Sequence, residues 1–266
     1  MKYLTYYNMS SNPFDKTIDT KDTFKSEDYG NVFSRLDYLK EARGVGLITA
    51  NPGMGKTFSI RAYSDTLNNS LFKVVYIKLT TITVMEFYRL FALELGLIPL
   101  KRKVDLFRQV QEEIVSLVNK KIIPFIIIDE AQYLRTDIIN DLKMLLNFEM
   151  DSKNNMILLL VGQPTLINLL NRSIHEATRG RIIMSYTIIG LGAEEMKRYI
   201  EERLSLVGAS PHLFTPSAVN ALHQSSNGSI RTLNNLIVKA LIIGCNKNLT
   251  SLDENIILDA YNEISL

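Results

Sequence analysis

The residues best suited to chemistry lie at one junction, where the run Val45–Thr49 passes into Ala50-Asn51-Pro52-Gly53-Met54-Gly55-Lys56-Thr57 and then into a stretch of helical period. A strand, a glycine-containing loop and a helix start in that order make a phosphate cradle. Gly53 and Gly55 permit backbone angles closed to other residues, so successive N–H groups can converge on phosphate oxygens at a helix N-terminus, where the dipole also favours anions. Lys56 supplies a point charge for the β- and γ-phosphates, and the Thr57 hydroxyl is placed to coordinate Mg²⁺. The pattern usually opens on glycine, and here that position is Ala50. Asn51, Pro52 and Met54 complete the expected contact set with Gly53, Gly55, Lys56 and Thr57.

A second constellation follows in Pro124-Phe125-Ile126-Ile127-Ile128-Asp129-Glu130, an apolar run ending in two carboxylates. A central strand delivers acids to the C-terminal edge of a sheet in this way. Asp129 is expected to hold Mg²⁺ through its water shell. Glu130 is expected to polarise the attacking water as general base, which separates hydrolysis of a nucleotide from its binding.

The elements that must position these groups can be read from periodicity. Short apolar runs at Val45–Thr49, Val74–Leu79, Ile122–Ile128, Met156–Val161 and Ile182–Thr187 alternate with helical stretches. That alternation predicts βαβ units around a five-stranded parallel sheet covered by helices, an α/β fold. Val104, Phe107, Val110, Ile114, Leu117 and Val118 recur at three or four residues and predict one buried helix face. After Gly190-Leu191-Gly192 the strand signals stop. Thr215-Pro216 reads as an N-cap with proline at the first helical position, Ser229 as another helix start, and Ser251-Leu252-Asp253-Glu254 has capping-box spacing. The expected organisation is a nucleotide-binding α/β domain over 1–190 and a small all-helical lid domain over 191–266.

The 266 residues allow at most two domains, with 46% apolar residues and 22% charged ones, as in a folded globular chain. A single cysteine, Cys245, excludes a disulfide framework and a cysteine-based metal site, and its apolar surroundings predict a buried thiol. The start lacks the apolar core of a signal peptide and no later run reaches membrane-spanning length, so a cytoplasmic protein without membrane contact is expected. Net charge is only +2, divided as −2 from Gly192 onward and +4 before it, so no global field announces nucleic acid.

Taken in order, Asn12-Pro13-Phe14, the lysine loop, Ile128-Asp129-Glu130-Ala131-Gln132, Leu145-Leu146-Asn147-Phe148-Glu149, Val161-Gly162-Gln163-Pro164 and Gly228-Ser229-Ile230-Arg231 resemble the AAA+ ATPases of the ExeA and TnsC type, related to the IstB and MuB transposition helpers. The resemblance covers nearly the whole chain. It implies a P-loop AAA+ parallel-sheet domain, a five-stranded αβα sandwich, followed by the helical lid. By the same resemblance Gln163 matches the sensor that reads the γ-phosphate, and Arg231 the second sensor that reaches the nucleotide from the lid. Arg179 or Arg181 matches the region supplying an arginine finger to a neighbouring subunit, with Arg181 preferred. Phe14 would lie near the adenine, either stacking on it or packing in the core. No guanine-reading Asn-Lys-x-Asp motif follows the strands, which favours ATP over GTP.

The resemblance further implies a homo-oligomer, ring or filament, that assembles with Mg-ATP on duplex DNA, selects target DNA for transposition and recruits a transposase. Lys101-Arg102-Lys103 is the basic cluster that could contact phosphates, and with no base-reading module evident any such binding would be sequence-nonspecific. The rival expectation is a non-transposition AAA+ switch, or an ExeA-like secretion ATPase, that remodels a protein partner.

Overall fold

A computed structural model describes residues 1–15, 23–78, 81–148 and 154–264. Leu79 and Glu149, expected as a strand end and a motif residue, lie outside them. The elements in chain order are α1 (Lys2–Tyr6), α2 (Glu27–Ala42), β1 (Val45–Ala50), α3 (Lys56–Thr66), β2 (Phe72–Ile77), α4 (Val84–Glu94), α5 (Lys103–Asn119), β3 (Ile123–Ile128), α6 (Thr136–Leu145), β4 (Ile157–Gly162), α7 (Thr165–Leu170), α8 (Glu176–Arg179), β5 (Ile182–Ile188), α9 (Ala193–Leu206), α10 (Pro216–Ser226), α11 (Ile230–Asn246) and α12 (Glu254–Ile264). Short 3₁₀ turns at Ala131–Tyr133 and Ser173–His175 interrupt the connections.

The chain divides into two compact units. The larger comprises Asn31–Asn51 and Lys56–Ile188 and carries the sheet. Its five strands run parallel in the order β2-β3-β4-β1-β5. The inner strands β1 and β4 are buried at every position and β3 at all but its first, whereas the edge strands β2 and β5 expose part of their length. Strands covered on both faces need continuous apolar runs, and Ile126-Ile127-Ile128 and Ile157–Val161 supply them. Because β4 lies between β1 and β3, whatever follows β4 emerges between the ends of the two strands that carry the phosphate loop and the acids.

Helices α4, α5 and α6 contribute to the core over β2, β3 and β4. The buried stripe of α5 is Leu106, Val110, Ile114 and Leu117, at helical spacing. Val104, expected on that face, is 60% exposed at the helix start. Leu106 takes the position one turn before Val110, so the stripe begins two residues later than the sequence pattern placed it.

The second unit comprises Met1–Gly30, Pro52–Gly55 and Ile189–Leu266. A single cut near residue 190 misses this arrangement, because Tyr3, Tyr7, Met9 and Phe14 are buried in the same core as Met196, Ile200, Leu236 and Ile257 of α9, α11 and α12. Thr215 caps α10 with Pro216 next to it, and Ser229 caps α11 through the Thr232 N–H. For α12 the capping oxygen belongs to Asp253, which accepts from the Ile256 N–H, and not to Ser251. Cys245 is buried with a free thiol. Among the described residues no helix is long and apolar enough to cross a membrane.

One buried titratable group makes stability pH-dependent. His175 is 0% exposed, and burial first, then the nearby Arg172 charge, pull its imidazole pKa below the usual range. The unfolded chain therefore takes up a proton near pH 6.5 that the folded chain refuses, and stability falls as pH drops through that value. Thermal melts between pH 7 and pH 5 should show Tm falling with acidification, and His175→Leu should make the fall shallower.

Candidate active site

In the sheet unit the strand ends bring together five groups that the sequence separates by up to 107 positions, from Lys56 to Gln163. Lys56 and Thr57 open α3, Asp129 and Glu130 follow β3, and Gln163 follows β4. Lys56 is only 8% exposed and its Nζ lies 3.2 Å from Glu130 Oε1. The Thr57 hydroxyl donates to Asp129 Oδ2 at 3.0 Å.

Asp129 is 4% exposed, and its carboxylate accepts three hydrogen bonds. Oδ2 accepts from Thr57 and also from the Tyr76 hydroxyl at 2.7 Å, while Oδ1 accepts from the Glu130 N–H at 2.8 Å. That last bond closes a tight turn in which Glu130 takes left-handed angles, φ 52° and ψ 37°. A non-glycine residue there costs about 1–2 kcal/mol, and such costs cluster at functional sites. The turn points Glu130 back toward Lys56 and Gln132.

Gln132 joins the two strand ends. Its Nε2 donates to Glu130 Oε2 at 2.7 Å, and its Oε1 accepts from the Gln163 N–H at 3.0 Å. The close passage depends on Gly162, since a Cβ there would meet Gln132 Oε1 at 2.6 Å. Burial pushes the Glu130 pKa up, but the Gln132 hydrogen bond, the Lys56 charge and the Lys56 and Gln163 hydrogen bonds outweigh it, so the carboxyl titrates below its usual value and is ionised at neutral pH. The Tyr76 phenol is driven well above its ordinary pKa by burial and then by Asp129, so it is a proton donor throughout the working range.

The residues fit Mg²⁺ on the chemistry of their donors. Thr57 Oγ1 and Asp129 are hard oxygens in contact, one a hydroxyl and one a carboxylate, which is the protein share a Mg²⁺ ion takes when phosphate oxygens and water supply the rest. When bound, Mg²⁺ would neutralise charge on the phosphate chain.

In the helical unit, Pro52–Gly55 meets the start of α11 and the segment at Gly190. The Arg231 N–H donates to the Gly53 carbonyl at 3.2 Å. Gly53 has φ 84°, and a Cβ there would meet Ser229 Oγ at 2.4 Å, so both conformation and space demand glycine. Gly190 has φ 97°, and a Cβ there would meet Met54 Sδ at 2.5 Å and the Gly228 carbonyl at 2.6 Å. Asp28 Oδ2 accepts from the N–H groups of Ile189 and Gly190, at 2.9 and 2.7 Å. The Arg231 side chain is exposed.

Other expected residues stand apart from these groups. Phe14 is 4% exposed in the helical core, edge-on to Tyr199 at 6.4 Å, so of its two expected roles the surroundings favour packing over an open stacking face. Arg179 is exposed at the end of α8, and Arg181 is half-buried just before β5. Lys101 is exposed, but Arg102 is bidentate to Asp105 at 2.7 and 3.0 Å, and Lys103 Nζ pairs with the buried Asp141 at 2.6 Å. Motif reading assigns no role to Tyr76, Gln132 or Gly190. Gln132 lies inside a recognised motif, and no local signal distinguishes Tyr76 from any strand tyrosine.

The chain matches the AAA domain family over residues 39–170. It is 27% identical over 244 residues to General secretion pathway protein A of Aeromonas hydrophila, covering 90% of this chain and 44% of that protein. The chain thus spans less than half the length of this curated relative. Among solved structures it is similar to the Aeropyrum pernix ORC2 protein in ADPNP-ADP complexes, with TM-score 0.65, 15% identity and coverage of 95% and 71% of the two chains. It is also similar to Drosophila ORC bound to DNA, with TM-score 0.71, 13% identity and coverage of 100% and 67%. The fold is the P-loop AAA+ fold with a helical C-terminal region, and the enzyme class is ATPase.

The roles expected of Lys56 and Glu130 separate binding from chemistry. Lys56→Ala should abolish detectable binding of a fluorescent ATP analogue, because it removes a ground-state charge interaction. Glu130→Gln should bind the analogue within a few-fold of the parent while turnover falls by roughly 10²–10⁴-fold, as loss of a general base requires. Normal turnover in Glu130→Gln would remove the base assignment.

Proposed function

We propose that the chain is a Mg-ATP-driven oligomeric switch in which Lys56 and Glu130 exchange partners when nucleotide binds. The observation that carries this reading is the Lys56–Glu130 ion pair at 3.2 Å, with Gln132 on the other Glu130 oxygen at 2.7 Å. That contact joins the proposed base directly to the proposed phosphate-binding lysine. Phosphate would draw Lys56 away, and the loss of that cation raises the basicity of Glu130 at the moment a water must be polarised.

The remaining roles follow from chemistry and from the resemblance in the sequence. Asn51–Thr57 bind the triphosphate, and Thr57 and Asp129 serve the Mg²⁺. Gln163, tied to Gln132 through its backbone and to Glu130 through its side chain, orients the water and reads the γ-phosphate. Arg231 is the lid cation for the nucleotide, its backbone N–H being bonded to Gly53. Arg181, or else Arg179, reaches the site of a neighbouring copy, where a cation stabilises charge on the transferring phosphoryl oxygens.

For the cellular role we favour assembly of the ATP form on duplex DNA as a transposition helper that selects target DNA and recruits a transposase, with hydrolysis as the timer of disassembly. The ordered motifs support it, as does the likeness in fold to Drosophila ORC bound to DNA. The 27% identity to General secretion pathway protein A favours a second reading, an ATPase that remodels a protein partner in secretion. DNA stimulation of turnover separates the two.

Specific ATPase activity should rise with protein concentration and fall at least about 100-fold in Arg181→Ala. Mixing Arg181→Ala with Glu130→Gln should restore part of it, since a composite site can take its base from one copy and its finger from the next. No recovery, with a rate independent of concentration, would end the composite-site reading. Recovery only with Arg179→Ala would move the finger to that residue.

DNA binding has its own measurement. Lys103 anchors the buried Asp141, so Lys101→Ala with Arg102→Ala is the cleaner test of the basic cluster. On two unrelated duplexes with ATP, the log–log salt slope should become shallower by about 0.9 for each phosphate no longer neutralised. An unchanged slope would exclude both side chains from the phosphate contacts, and no ATP-dependent binding by the parent would favour the protein-remodelling reading.

A further inference from the structure

Tyr76 sits where packing does not call for an aromatic residue. Its neighbours on β2, Val75 and Ile77, are 1% and 0% exposed, whereas Tyr76 is 38% exposed on an edge strand. Its ring therefore adds little to the core, but its hydroxyl reaches a buried carboxylate.

The reach follows from strand register. Tyr76 pairs with Ile127 and Ile77 with Ile128, and the ladder continues one step further through the Asp129 N–H to the Ile77 carbonyl at 2.9 Å. In a parallel pair, residues in register share a face, and so do residues two apart on one strand. Tyr76 and Asp129 are thus diagonal neighbours on one face, a separation that a long side chain spans. The phenol is long enough to bring its oxygen to 2.7 Å from Asp129 Oδ2.

The consequence lies in the number of acceptor positions. A carboxylate offers about four lone-pair directions. Thr57 and Tyr76 take both on Oδ2, and the Glu130 N–H takes one on Oδ1. One Oδ1 direction remains, and the two hydroxyls prevent the carboxylate from rotating about its terminal torsion. The Thr57 hydrogen bond alone would leave that rotation softer, because Thr57 must also serve as a metal ligand.

We propose that Tyr76 is a positioning residue for the metal step: its hydroxyl holds the Asp129 carboxylate in the orientation that accepts Mg²⁺ with the nucleotide. This rests on the Mg-ATP reading above. Tyr76 touches neither the nucleotide nor the metal, and acts through Asp129.

Tyr76→Phe keeps the ring and removes only the hydroxyl. Binding of a fluorescent non-hydrolysable ATP analogue, measured first in EDTA and then across a Mg²⁺ titration, gives a readout independent of turnover. In EDTA the variant should bind within about twofold of the parent, which also reports that it is folded. Its half-saturating Mg²⁺ should rise about tenfold, the scale of one charge-assisted hydrogen bond. In an Asp129→Asn background, adding Tyr76→Phe should raise it no further. An unchanged or lower half-saturating Mg²⁺ in Tyr76→Phe would overturn the inference, as would an equal further rise in the Asp129→Asn background. A parent protein whose analogue binding ignores Mg²⁺ would instead overturn the Mg-ATP reading, and this inference with it.

Discussion

A carboxylate only 4% exposed at the end of a strand is the constraint around which the strand ends of the sheet unit are arranged. Moving an ionised group out of water costs several kcal/mol unless hydrogen bonds and opposite charge replace its solvent. Asp129 recovers that cost from three donors on three elements, namely Thr57 on α3, Tyr76 on β2 and the backbone of Glu130. The third donor requires the left-handed turn at Glu130. The same turn sets Glu130 against Lys56, which is itself only 8% exposed and needs a counter-charge.

These strand ends are therefore electrostatically self-satisfied. Lys56 and Glu130 compensate each other's charge at 3.2 Å. Gln132 adds a mechanical link, since one amide touches Glu130 with its nitrogen and the backbone of Gln163 with its oxygen. The end of β4 is thereby linked to Glu130 through a single side chain.

The helical unit meets a different physical demand, that of backbones approaching closer than side chains allow. Gly53 and Gly190 occupy left-handed angles at points where a Cβ would strike Ser229 Oγ and Met54 Sδ. The first N–H groups of a helix lack partners within it, and at α11 the Gly53 carbonyl takes the one from Arg231. Elsewhere, carboxylates already engage part of the basic cluster: Arg102 is held by Asp105 and Lys103 by Asp141. A run of three cations in sequence is thus not three free cations on the surface.

Much of this was legible from residues alone. The phosphate loop, the acids after β3, the five strands and the helix starts at Thr215 and Ser229 are local signals, because a tight turn, a cap or a buried strand imposes its chemistry on adjacent residues. The stripe on α5 was misplaced at its start because periodicity fixes a face only to within a residue or two at a helix end, where Val104 has no neighbour to pack against. The cap of α12 fell to Asp253 rather than Ser251 for a similar reason, since capping depends on which residue has the first helical angles. The N-terminal thirty residues joined the helical core through Tyr3, Tyr7, Met9 and Phe14, a long-range packing choice with no local mark. What the sequence by itself determined is the chemistry that short-range geometry demands: glycine, lysine and threonine where a strand turns into a helix, and acids at a strand end. What only the tertiary structure decided is partnership across parallel strands, where Tyr76 meets Asp129 and Gln132 meets Gln163, because register is set by the packing of the whole sheet and leaves no signature in either strand alone.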